Sequence, residues 1–283
     1  MDRLEIINFI NGMIDEDGLN FEQYSERLFT LVNDFSLENV KNNILSVGVI
    51  PESFQHDSTE EKIYSKYSDI LLAKALSYLG IKTKVIKERA DSADVEGKAR
   101  GYTLVADAKV FRLSRTAKNQ KDFKVEALNK WKKDKDFACL VAPLYQFPKN
   151  QSQIYRQAID KNVTLLSYTH LYFMLAQKNK FNYKTLWQVG IKLKGEKGAN
   201  TYWKAIDTIL CKILGKSVKD LEKVKQLEFK RLLDTANEEI AYIEGKIEAL
   251  KSISHKEAIE RLIKSEKLDS KIIQIKKIIN SLK

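Results

Sequence analysis

The chain has 283 residues, 43% of them hydrophobic, enough to bury a substantial core in one large domain or two small ones. Lys and Arg number 49 against 38 Asp and Glu, a net charge of +11, yet residues 1–60 carry −9 and the remainder therefore +20. Charge so polarised points to a polyanionic partner. The absence of any run of about 18 apolar residues excludes a membrane-spanning helix, and Met1–Glu5 lacks the basic start of a secretory signal. Cys139 and Cys211 are far apart and none of the three histidines has a metal-ligand neighbour, so neither a disulfide framework nor a zinc site is expected and a reducing cytoplasm is the expected location.

In chain order, the acidic first fifty residues read as helical, with one stripe at Leu4, Ile7 and Ile10 or Asn11 and a second at Tyr24, Leu28, Leu31 and Phe35. Gly48 and Pro51 stop this pattern, and Ser58-Thr59-Glu60-Glu61 opens a new helix that ends at Gly80. The period then changes to that of strands: Thr83–Ile86, Gly101–Phe111, the apolar run Phe137–Ala142 closed by Pro143, and Asn162–Tyr168 after a helical Gln151–Ile159. Continuous apolar strands with helices between them predict a sheet covered on both faces. From about residue 200 the chain is helical again. Leu232, Ala236, Ile240, Ile243, Ile247 and Leu250 form a stripe expected to be core or helix–helix packing, Ser254-x-x-Glu257 marks a further cap, and Leu268–Leu282 supplies a last helix. The expected fold is α/β: a mixed sheet flanked by helices, with an acidic helical arm (1–55), a core (56–178) and a mainly helical C-terminal region (179–283), arranged as one continuous domain.

The chemistry concentrates at Ala93-Asp94-Val95 and Asp107-Ala108-Lys109. On a strand, residues two apart share a face at roughly 7 Å, so Asp107 and Lys109 point the same way. A carboxylate and an ammonium so placed suit metal-assisted phosphodiester hydrolysis. Asp94, Asp107 and the carbonyl of Ala108 offer hard oxygen ligands for Mg²⁺, and Lys109 can position or help deprotonate a water, or contact the scissile phosphate. Asp-x-Lys alone is a common pattern and also describes a strand-end ion pair. The next 27 residues, Lys109–Lys135, add weight: ten Lys or Arg against Asp122, Glu126 and Asp134, a density suited to a phosphate backbone. Lys130–Lys135 reads as a solvated face.

These residues lie inside a longer recognisable text. Leu104-Val-Ala-Asp107-Ala-Lys109 followed by Phe111-Arg-Leu-Ser-Arg-Thr-Ala-Lys-Asn-Gln-Lys-Asp-Phe-Lys-Val125 closely resembles the HindIII family of type II restriction endonucleases. Supporting matches are Ser58-Thr59 with Glu61-Lys62, Asp69-Ile70 with Leu72-Ala73-Lys74-Ala75, Lys135-Asp136 with Pro143, and Ser152-Gln153-Ile154. The resemblance implies a PD-(D/E)xK nuclease that uses Mg²⁺, works as a homodimer and cuts double-stranded DNA at AAGCTT after the first adenine. Asp94, Asp107 and Lys109 match the catalytic motif, with Ala93 where the broader motif has Pro. Asp122 matches a further functional position, although a carboxylate among cations is also what a plain ion pair requires. Glu61 is a candidate for orienting a water from the helix behind the site, although its place in a capping box would call for a glutamate anyway. Lys87 is a candidate phosphate contact or a solvated side chain.

By the same resemblance, Ser114–Lys124 reads bases: Lys121 toward guanine O6 and N7, Asn119 toward an adenine edge or a guanine N7, and the Ala117 methyl toward a thymine methyl. Arg112, Arg115, Lys118 and Lys124 fit phosphate contacts. The acidic N-terminal helices are expected to face solvent or a partner subunit rather than DNA. Two further readings are a nuclease of the same fold acting as a junction resolvase or repair enzyme, and a non-catalytic DNA-binding protein.

Overall fold

A computed structural model of the chain describes all residues except 17–18, 87–91, 116–119, 150–151, 178, 197, 267–270 and 277–283, and except the side chains of residues 120 and 121. Three helices come first: α1 (Arg3–Ile14), α2 (Phe21–Asn33) and α3 (Leu37–Ile44). Asp2 and Asn20 cap the first two with reciprocal capping boxes, as short polar side chains at such positions do. Their apolar stripes bury Ile6, Ile10, Leu28, Val32, Val40 and Ile44. The acidic stretch is thus a packed layer: all three helices lie against α4 (Thr59–Tyr78), while Asp2, Glu5, Glu22, Asp34 and Glu38 stay on the outside. Ser58 caps α4 by accepting the Glu61 N–H, and Gly80, at φ +86°, supplies the left-handed turn that ends it.

The sheet follows. Its strands are β1 (Lys82–Val85), β2 (Val95–Ala99), β3 (Tyr102–Ala108), β4 (Phe137–Ala142) and β5 (Val163–Ser167), ordered β1-β2-β3-β4-β5. The first three pair antiparallel and the last three parallel, so the sheet is mixed as expected. Helices α5 (Gln120–Phe123) and α6 (Val125–Lys132) carry the chain from β3 to β4, and α7 (Gln153–Asp160) carries it from β4 to β5. Every residue of β4 and β5 is buried, which requires cover on both faces. After β5 come α8 (Tyr168–Leu175), α9 (Lys184–Trp187), α10 (Val189–Lys192), α11 (Ala199–Leu214), α12 (Val218–Lys251) and α13 (His255–Ser265).

The chain divides into two compact units, Met1–Ala236 and Asn237–Lys283. The first holds the sheet and its helices. In the second, the stripe that periodicity assigned to packing is open: Ile240, Ile243, Ile247 and Leu250 are all exposed. Periodicity reports that a helix has an apolar face, not that the same chain covers it. Ser254 caps α13 as expected, accepting the Glu257 N–H. The last expected helix lies largely outside the described residues, with 271–276 helical.

Candidate active site

The antiparallel register pairs Val95 with Ala106, which sets Asp94, one residue before β2, beside Asp107 in β3. The parallel register pairs Asp107 with Leu140 and Ala108 with Val141, and the N–H of Lys109 continues the ladder to the Val141 carbonyl at 2.7 Å. Asp107 and Lys109 therefore emerge together at the C-terminal end of β3. Their side chains form a close ion pair in which Asp107 is buried and Lys109 nearly so. Tyr168 donates its hydroxyl to the Lys109 carbonyl at 3.1 Å, which fixes the backbone from the far side.

A third carboxylate, not singled out by motif reasoning, joins them. Asp69 of α4 is buried and accepts the Ala108 N–H at 3.3 Å. Asp69, Asp94, Ala108 and Lys109 line a cleft of about 350 Å³, together with Lys62, Ser65 and Lys66 of α4 and with Phe21 from the start of α2. The N-terminal layer thus contributes a wall to this cleft. Asp69 was legible only as part of a match to other proteins; within α4 it sits among apolar and small residues in a stretch, Tyr67–Ala73, that is buried throughout, and a charge placed there is the signal that could have found it.

The electrostatics follow from three carboxylates in little water. Burial, then the neighbouring Asp107 carboxylate, pushes the Asp94 pKa up to about 7. Burial, then Asp94 and Asp107, holds Asp69 well above the usual carboxylate range. Burial acts to lower the Lys109 pKa, but Asp107, Asp69 and Asp94 outweigh it and the ammonium is held above its ordinary value. Beyond Lys109 and the hydrogen bond shared with the Asp94 carboxyl, no described backbone N–H, hydroxyl or amide donates to either oxygen of Asp107. A buried carboxylate with so few donors, in a group of mutually repelling carboxylates, is what a divalent cation would satisfy. The residues present fit a divalent cation held by hard oxygen ligands.

Other predicted site residues lie elsewhere. Glu61 does not line the cleft; it accepts the Asp57 N–H at 2.7 Å and faces the Arg112 guanidinium at 3.5 Å. Being the third residue of α4, it is turned to the helix's own start and occupied there. His56, Asp57 and Glu61 bring ligand atoms within 4.8 Å of one another, but His56 and Asp57 are exposed and Glu61 is already engaged. Arg112, expected at phosphate, is drawn inward: it donates to the Pro51 carbonyl at 3.1 Å and lies near Glu52 and Glu61. Two carboxylates on the protein side neutralise it. Asp122 pairs with Arg115 at 2.5 Å, and that guanidinium lies over the Phe111 ring. Lys124 lies over Trp131. Lys87, Ala117, Lys118 and Asn119, and the side chain of Lys121, lie outside the described residues.

Comparison with known proteins identifies the family. The sequence profile of the HindIII restriction endonuclease family matches residues 4–282. The type II restriction enzyme HindIII of Haemophilus influenzae is 34% identical over 289 residues, covering 99% of this chain and 95% of that protein. Among the described residues, no helix is long and apolar enough to cross a membrane. The chain belongs to the HindIII family of type II restriction endonucleases, enzymes that bind and cut DNA.

Proposed function

We propose that this enzyme hydrolyses double-stranded DNA at AAGCTT, after the first adenine and with Mg²⁺, to leave 5′ overhangs. The observation that carries the reading is the convergence of Asp94, the buried Asp107 and Lys109 at the end of β3, beside a cleft that Asp94, Lys109, Lys62 and Lys66 line. Asp94, Asp107 and the Ala108 carbonyl would hold the cation, with Asp69 behind them. A bound divalent cation supplies Lewis-acid stabilisation of charge on the phosphate and a more acidic water. The chain's own groups do the rest. Asp107 holds the Lys109 ammonium over the cleft, where it can orient the attacking water and contact the scissile phosphate. Lys62 and Lys66 offset phosphate charge, and Phe21 and Val110 narrow the cleft from the side.

Specificity on this reading comes from Ser114–Lys124, the segment that leaves the catalytic strand: Lys121 and Asn119 reading base edges, Ala117 a thymine methyl, and Arg115, Lys118 and Lys124 the phosphates. One cluster per chain cuts one strand, so equivalent cuts in both strands of a palindrome call for two chains related by a two-fold axis, a homodimer. The relative named for HindIII supports this choice of site at 34% identity. The test is digestion of a sequenced plasmid with Mg²⁺, followed by mapping of the ends. Discrete fragments ending at AAGCTT are expected. Discrete ends at another sequence would overturn the assigned site, and random nicking or structure-dependent cutting would overturn site-specific cleavage.

A further inference from the structure

The catalytic strand and the base-reading segment are separated by only five residues, Lys109 to Leu113, and this short span together with Ser114 is stitched to residues 48–52. Phe111 donates its N–H to the Gly48 carbonyl and accepts from the Ile50 N–H, each at 3.1 Å. The Arg112 guanidinium donates to the Pro51 carbonyl at 3.1 Å. Glu52 then takes hold of Ser114 twice: one carboxylate oxygen accepts the Ser114 N–H at 3.0 Å and the other the hydroxyl at 2.9 Å. Between these contacts the Arg112 guanidinium lies 3.8 Å from Glu52 and 3.5 Å from Glu61.

We propose that Glu52 and Glu61 are positioning residues for sequence recognition: a pair of carboxylates that clamps Arg112 and Ser114 and so sets where the base-reading segment begins. The inference rests on the proposed function of that segment. A carboxylate that grips both the backbone N–H and the side-chain hydroxyl of one residue fixes its orientation as well as its place. The side chains of Glu52, Glu61 and Arg112 are exposed by only 11%, 17% and 14%, so water competes weakly for them. Their charges do not serve DNA affinity directly, because Glu52 and Glu61 would repel phosphate and Arg112 is spent on them. Glu61 also ties the clamp to α4, whose next turns carry Lys62, Lys66 and Asp69 of the cleft. A shift at the root of the reading segment is thereby felt by the helix that lines the catalytic cluster.

The test compares kcat/KM at the cognate duplex with kcat/KM at duplexes carrying one substituted base pair, for the full-length enzyme with Mg²⁺. Glu52→Ala is expected to lower the cognate-to-substituted ratio about tenfold, the scale of losing hydrogen bonds to a charged group. Glu52→Gln, which keeps an acceptor, is expected to restore part of the ratio. Adding Ser114→Ala to Glu52→Ala is expected to cost nothing further, since both remove one interaction. A merely structural role would lower the unfolding temperature and leave this ratio in place. An unchanged ratio in Glu52→Ala overturns the clamp. If that variant fails to fold, Ser114→Ala alone decides: a severalfold loss of ratio supports the clamp, and no loss overturns it. A wild-type enzyme that cuts without discrimination would instead overturn the recognition reading beneath it.

Discussion

Asp69 accepts the backbone N–H of Ala108 at 3.3 Å, so the helix that lines the cleft and the strand that carries Asp107 and Lys109 are joined by a buried carboxylate inside the candidate active site. A group held well above its ordinary pKa by burial and by two like charges is costly to ionise, and packing alone does not explain its presence.

Asp69→Asn keeps an oxygen for the Ala108 N–H and drops the charge. Cleavage is expected to fall roughly 10–100-fold, the range seen when a partner behind a metal ligand is lost, with the unfolding temperature unchanged or raised. Steady-state cleavage and a melting curve check this together. Wild-type cleavage in the variant would reduce Asp69 to a structural acceptor.

Glu61→Gln should behave differently. Glu61 lies outside the cleft and faces Arg112, so cognate cleavage is expected to stay within about tenfold of wild type, the scale of a local stability change rather than of lost chemistry. A loss as deep as that of Asp107→Asn would return Glu61 to the catalytic set.

A divalent cation should stabilise the folded protein. At a hundredfold excess over its dissociation constant, Ca²⁺ or Mg²⁺ is expected to add about 2.7 kcal/mol, seen as a higher melting temperature. In Asp107→Asn, where a buried ligand is gone, the shift is expected to shrink or vanish. An equal shift in the variant would place cation binding elsewhere.

The His170–Asp207–Lys225 network gives a pH signature. His170 Nε2 lies 2.8 Å from Asp207 and the Lys225 ammonium is 2.8 Å from the other oxygen. Burial tends to raise the Asp207 pKa, but the bonds and charges of His170 and Lys225 outweigh it and hold it below the ordinary value. A depressed carboxylate contributes stability above its unfolded pKa, and that contribution is lost as pH falls through the folded one. Asp207→Asn should therefore be less stable than wild type near neutrality, with the gap closing below about pH 4. Urea unfolding at a series of pH values reads this; a gap independent of pH would contradict it.

Much of the fold can be read from local pattern because the strands and caps are locally determined. Phe137–Ala142 is apolar throughout and matches its strand residue for residue. Ser58 and Ser254 cap the helices that their spacing announces. Strand β2 escapes notice because Val-Glu-Gly-Lys-Ala has weak strand character. Its glycine is there because a Cβ on Gly97 would come within 2.9 Å of Ile81 and Leu104 side-chain atoms, a tertiary reason invisible locally. At the candidate site, Asp94, Asp107 and Lys109 stand in a motif that sequence pattern alone picks out. Asp69, Glu52 and Arg112 depend on which segments the fold brings together: 25 residues separate Asp94 from Asp69, and 62 separate Ser114 from Glu52.

The most direct test of the catalytic assignment measures cleavage and binding on the same duplex. For Lys109→Ala and Asp107→Asn, cleavage of a labelled duplex containing the cognate site in Mg²⁺ is expected to fall by at least about a thousandfold, as loss of a central charge-stabilising group requires. Binding of that duplex in Ca²⁺ is expected to stay within about tenfold of wild type, the effect of a single phosphate contact at most. Cleavage persisting near the wild-type rate in both variants would contradict the placing of the active site at the end of β3.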